Sequence, residues 1–124
     1  MIIRPLDFDI TVCQVENAEL LDVRKDFYFV GKTEKEISLV CKTEDVPART
    51  LQREDGWQGF YIDGTLDFSL VGDSDYYGGL IFQADQGISI FALSTYNTDY
   101  VLVKKADFSR AMDILSRNGY NMVT

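Results

Sequence analysis

The sequence predicts an α+β chain, built mainly from short antiparallel strands with one amphipathic helix near its end. Stretches of alternating apolar and polar residues recur along it, closed by turn residues. The clearest helical stripe is Phe108, Ala111, Met112 and Leu115, spaced i, i+3, i+4, i+7. Hydrophobic residues make up 46% of the 124, enough to pack one ordinary domain or two very small ones sharing a core.

The first strand is expected over Phe8 to Val15, where Phe8, Ile10 and Val12 alternate with Asp9, Thr11 and Cys13. Phe27-Tyr28-Phe29-Val30 is a compact apolar run closed by Gly31, and Lys32-Thr33-Glu34-Lys35 turns it into a second strand, Ile37 to Cys41. Residues from Gly31 to Glu36 then form a hairpin of the longer-loop type. Thr43 to Gly56 is rich in charged residues, contains Pro47 and lacks periodicity, which predicts an exposed loop. Asp45, Glu54 and Asp55 within it have no partner visible in the sequence. Trp57 to Asp63 reads as a strand, with Trp57 and Phe60 in the core. Asp63-Gly64 is a two-residue turn signal leading to Leu66–Val71.

Between Gly72 and Gly87 the length suits a crossover helix, but Gly78-Gly79 interrupts it, at about 1 kcal/mol per glycine relative to alanine. The helix is therefore expected only over Leu80 to Asp85. Ile88 to Thr95 and Tyr100 to Val103 are apolar strands joined by a turn at Asn97-Thr98. The stripe at Phe108 follows, with Asp107 at its start, Arg117 in its last turn and Gly119 placed for a left-handed cap. Tyr120 to Val123 supplies a short edge strand.

Charge narrows the function classes. Lys and Arg number 12 against 20 Asp and Glu, a net charge of −8. A phosphate backbone or an anionic membrane surface needs clustered cations, so neither nucleic acid nor membrane is an expected partner. No apolar run approaches the ~20 residues of a membrane span. Met-Ile-Ile-Arg-Pro lacks the apolar stretch of a signal peptide, and the expected location is cytoplasmic. There is no His, which removes the commonest general base and the Ser-His and Cys-His nucleophile systems. The chain carries no glycine-rich phosphate motif and no diagnostic carboxylate pair, so no enzyme activity and no cofactor are expected. Asp63, Asp67, Asp73 and Asp75 do not match a calcium loop. Cys13 and Cys41 are read as reduced, buried thiols.

From Thr65 onward the order is strand, crossover, strand, hairpin strand, helix, short strand: the βαββαβ pattern of ferredoxin-like domains. Leu66-Asp67-Phe68-Ser69-Leu70-Val71-Gly72, then Gly87 to Val103 with Ser94-Thr95-Tyr96-Asn97-Thr98-Asp99-Tyr100 as its most specific run, resembles an ACT domain. More narrowly it is similar to small bacterial ACT proteins and to the ACT domains of CASTOR-type arginine sensors. Glu36–Cys41, Thr43–Pro47 and Arg53–Trp57 resemble the N-terminal module of those bacterial proteins. The resemblance implies a reduced, mostly β ACT-like module over residues 1–60 and an ACT domain over 61–124. The Asp73–Gln86 stretch departs from the regular Ala- and Leu-rich helix usual there.

The resemblance also implies an amino-acid site at an interface between two such domains. One side is Val71, Gly72 and Asp73, where glycine admits close backbone approach and N–H groups at a helix start favour a carboxylate. The other is Thr95, Tyr96 and Asp99. Asp99 is placed to receive a cationic group, Tyr96 to pack on an aliphatic or guanidinium portion, and Thr95 offers a hydroxyl. A plainer reading has Asp99 finish the hairpin turn and Tyr96 stand half-buried at a strand end. The expectation is a regulatory module that senses an amino acid and signals through a homodimer or a partner. The alternative is a structural ACT-like dimer with a degenerate pocket.

Overall fold

Apart from one strand of 12 residues, the strands among the described residues are of six residues or fewer, each held by pairing with its neighbours. The computed structural model describes residues 2–63, 88–117 and 119–123. The expected strand Leu66–Val71 and helix Leu80–Asp85 lie outside those residues. The chain divides into two compact units, Phe8–Trp57 and Met1–Asp7 together with Gln58–Thr124.

In the first unit, β2 (Ile10–Val15), β3 (Tyr28–Lys32) and β4 (Ile37–Lys42) form an antiparallel sheet with the first half of β5 (Gln52–Asp63). The order across it is β3-β4-β2-β5. Cys13, Val15, Leu39 and Cys41 share one face, because Thr11 pairs with Cys41 and Cys13 with Leu39. Leu20, Leu21 and Val46 pack over them. Asn17 caps the short turn Ala18–Leu20 by accepting from the Glu19 N–H at 3.0 Å. Farther on, the Asp22 N–H donates to the Tyr28 hydroxyl at 3.0 Å, fixing this covering segment to β3.

The expectation of an exposed loop from Thr43 to Gly56 is corrected at its end. β5 begins at Gln52, with Gln52, Arg53 and Glu54 paired to Gln14, Cys13 and Val12. These residues are exposed, so they carry no apolar alternation to betray a strand. The register then shifts: Ile10 faces Trp57, and β5 holds one residue more than β2 over the interval. Gly56, at φ 82°, supplies the left-handed conformation that such a bulge uses. The bulge sends Asp55 to Thr11. The fully buried Thr11 hydroxyl donates to Asp55 Oδ1 at 2.6 Å and lies 2.9 Å from Thr43 Oγ1. Arg53 closes the group, 2.8 Å from the same carboxylate oxygen. Asp55 and Asp45 therefore do have partners, the latter 3.7 Å from Lys25 Nζ.

The second unit opens with a strand that the sequence reading did not assign, β1 (Ile2–Pro5). It runs antiparallel to the second half of β5, Ile3 facing Ile62, and parallel to β8 (Asn121–Met122). On the other side of β5 come β7 (Asp99–Lys104) and then β6 (Ile90–Ser94). The helix α1 (Phe108–Arg117) lies where the stripe predicts, entered through a tight turn over Lys105–Asp107. It buries Leu115 against Ile3, Phe60, Ile62, Val101 and Tyr120, and Ala111 and Ile114 against Ile88 and Val103. Trp57 and Phe60 are buried, as expected of core residues.

The helix ends as Gly119 predicts. Its φ is 91°, its N–H donates to the Ser116 carbonyl at 3.2 Å, and the Tyr120 N–H donates to the Leu115 carbonyl at 3.1 Å. That pair of bonds is a Schellman cap, and Tyr120 packs in the same cluster as Leu115. The chain is thereby turned into β8.

Candidate ligand site

The β6–β7 hairpin carries three of the six residues expected to bind a ligand. Its strands are apolar enough to be held in place: Val101, Leu102 and Val103 are fully buried or nearly so. Ser94 pairs with Asp99, and the loop is closed by the Thr95 N–H donating to the Thr98 carbonyl at 2.8 Å. Tyr96 and Asn97 form its apex. At the base, the Tyr100 ring sits 5.8 Å from that of Tyr61 on β5, anchoring the start of β7.

Asp99 is half-buried, and its Oδ1 accepts from the Ser94 hydroxyl at 2.5 Å. That bond fixes the carboxylate at the strand end while leaving it able to accept further hydrogen bonds, as a cationic partner requires. The Thr95 hydroxyl donates to the Thr98 carbonyl at 3.2 Å, so its remaining capacity toward a ligand is as an acceptor. Tyr96 is 96% exposed, which corrects the reading of a half-buried strand-end aromatic. It stands at the turn, past the last paired residues Ser94 and Asp99. The hairpin thus brings Thr95, Tyr96 and Asp99 within one turn. Val71, Gly72 and Asp73 lie outside the described residues.

Elsewhere, sequence reasoning missed a shallow groove of ≈ 300 Å³ in the first unit, lined by Gln14, Glu36, Ser38, Gln52 and Glu54 among others. Strand register alone collects these residues: Gln14 faces Ser38 on one side and Gln52 on the other. It is the solvated face of an antiparallel sheet. Burial pushes the Cys41 thiol up to about 12 and raises that of Cys13, so neither is a nucleophile at neutral pH. Among the described residues no group of His, Cys, Asp and Glu is arranged to hold a metal ion, and no helix is long and apolar enough to cross a membrane.

Residues 78–117, which include β6, β7 and α1, match the family model of the ACT domain. No curated protein matches the chain in sequence. Among solved structures it is similar to a protein of Agrobacterium tumefaciens, at 23% identity and TM-score 0.80 over 98% of this chain and 91% of that one. A Vibrio cholerae protein of unknown function, described as a possible transport protein, shares 15% identity at TM-score 0.67, over 91% of this chain and 85% of the other. The aspartate kinase of Clostridium acetobutylicum, an allosteric enzyme, shares 12% identity at TM-score 0.61, with 89% of this chain covering 33% of that one. These likenesses establish a shared fold. Residues 78–117 thus match an ACT domain, within a chain whose fold is α+β.

Proposed function

We propose that the chain is a regulatory module that binds an amino acid through its ACT domain and signals occupancy as a cytoplasmic homodimer or to a partner protein, without catalysis of its own. The observation that carries this reading is the ACT match spanning a hairpin whose turn gathers a fixed carboxylate, an exposed aromatic ring and a hydroxyl acceptor. Similarity in fold to an allosteric aspartate kinase supports a regulatory role. In this proposal Asp99 receives the ligand's cationic group, Tyr96 lies along its aliphatic part, and Val71, Gly72 and Asp73 supply the facing side. The module would occupy residues 61–124, with a reduced ACT-like module over residues 1–60.

A thermal-shift screen of the twenty amino acids tests it. A specific ligand at 100 times its dissociation constant stabilises by about 2.7 kcal/mol. Asp99→Ala should abolish that shift in a chain that circular dichroism shows to be still folded, because it removes the carboxylate held by Ser94. Binding that survives this substitution would remove Asp99 from the site. A folded chain that responds to none of the twenty would favour a structural ACT-like dimer with a degenerate pocket. The engagement of Thr95 and Asp99 within their own hairpin is the observation that favours that second reading.

A further inference from the structure

We propose that the outer edge of β3 is a two-fold pairing surface, at which a second copy of this chain adds its own β3 antiparallel. This rests on the homodimer of the preceding reading and not on its ligand. Among the described residues β3 pairs with β4 alone and stands at the edge of its sheet. The hairpin between them is closed by the Thr33 N–H donating to the Glu36 carbonyl at 2.9 Å. Bonded and unbonded positions alternate along an antiparallel pair. Counting back, Gly31 and Phe29 take the bonded positions against Ser38 and Val40. The backbone N–H and C=O groups of Tyr28, Val30 and Lys32 therefore point to the outer edge. Edges of this kind are normally blunted by proline, a bulge or charge. β3 has no proline, its register with β4 is unbroken, and its one charged residue, Lys32, lies at the end.

One register satisfies all three outward residues in a symmetric pair: Val30 against the partner's Val30, and Tyr28 against the partner's Lys32. Phe29 then stands directly across from the partner's Gly31, at an unbonded site where side chains approach most closely. An aromatic ring in that place covers the bare backbone of an edge glycine. This accounts for a residue that one chain leaves unexplained. Gly31 does not adopt the left-handed conformation seen at Gly56 and Gly119. Nor is it crowded, since among the described residues a Cβ there would meet nothing nearer than Ser38 Cβ at 3.9 Å. Within one chain a glycine in a strand only weakens it.

Sedimentation equilibrium of the full chain should show a dimer, strengthened by salt because each copy carries a net charge of −8. Val30→Lys sets two ammonium groups face to face on the symmetry axis and should weaken association roughly tenfold or more. Val30→Pro removes an N–H that faces outward, so circular dichroism should stay native while the dimer is lost; if that variant fails to fold, Val30→Lys decides. Val30→Cys should cross-link to itself under mild oxidation, and Lys32→Cys should not. A monomer at every concentration would overturn both this surface and the homodimer. A dimer unmoved by Val30→Lys would overturn the β3 surface and leave the homodimer standing.

Discussion

Replacing Thr11 by Val tests whether the bulge in β5 stabilises the first unit through Asp55. The substitution is close to isosteric and removes only the hydroxyl, which is fully buried and donates to Asp55 Oδ1 at 2.6 Å. A hydrogen bond to a charged acceptor contributes about 1.5–3 kcal/mol. Two effects reduce the net loss. A buried methyl in place of the hydroxyl returns up to about 0.8 kcal/mol. Asp55 also keeps Arg53, at 2.8 Å, and its side chain is 53% exposed, so water reaches the vacated position. The expected net cost is about 1–2 kcal/mol. With a urea slope of about 2 kcal/mol per molar, the unfolding midpoint should fall by roughly half a molar to one molar. A double-mutant cycle with Asp55→Ala isolates the pair and should show coupling well above ~0.5 kcal/mol. A Thr11→Val chain as stable as the parent, or a coupling indistinguishable from zero, would refute the claim that this contact stabilises the bulge.

Gly119→Ala forces a side chain into the left-handed region at φ 91° and should cost about 1–2 kcal/mol, read as a lower melting temperature, while α1 itself stays helical. The thiols carry a pH prediction. Burial disfavours the Cys41 thiolate, so its folded value, about 12, lies above the ordinary 9.0. A raised value means that its contribution to stability is complete below pH 9.0 and is lost as pH rises toward about 12. Above pH 9 the urea midpoint should fall more steeply for the parent than for Cys41→Ala, and equal slopes would count against it. Both native thiols should resist a disulfide reagent at pH 8 until the chain is unfolded.

What the sequence made legible was set by periodicity. Strands with a buried face, such as Ile37–Lys42 and Asp99–Lys104, show their apolar residues openly, and the stripe of α1 and its glycine cap are local signals. β1 has only four residues and ends in proline, too short for an alternation to register. The start of β5 is exposed and interrupted by a bulge, so its strand character comes from pairing with β2, dozens of positions earlier. Asp55 and Thr11 meet across the same distance in sequence. At the candidate site, the turn was legible from Asn97-Thr98 and the Ser94–Tyr100 run. The full exposure of Tyr96 depends on what packs around the turn, which no local pattern encodes.

The enclosure of Cys13 and Cys41 has a practical corollary. They are the chain's two cysteines, and both are free and shielded from solvent. A maleimide fluorophore or nitroxide attached to a newly introduced surface cysteine would therefore report from a single address, with the native sulfurs left in place. Spin-label distances measured from Val23→Cys or Leu51→Cys, at exposed positions outside both the β6–β7 turn and the β3 edge, can then map assembly in an otherwise unaltered molecule.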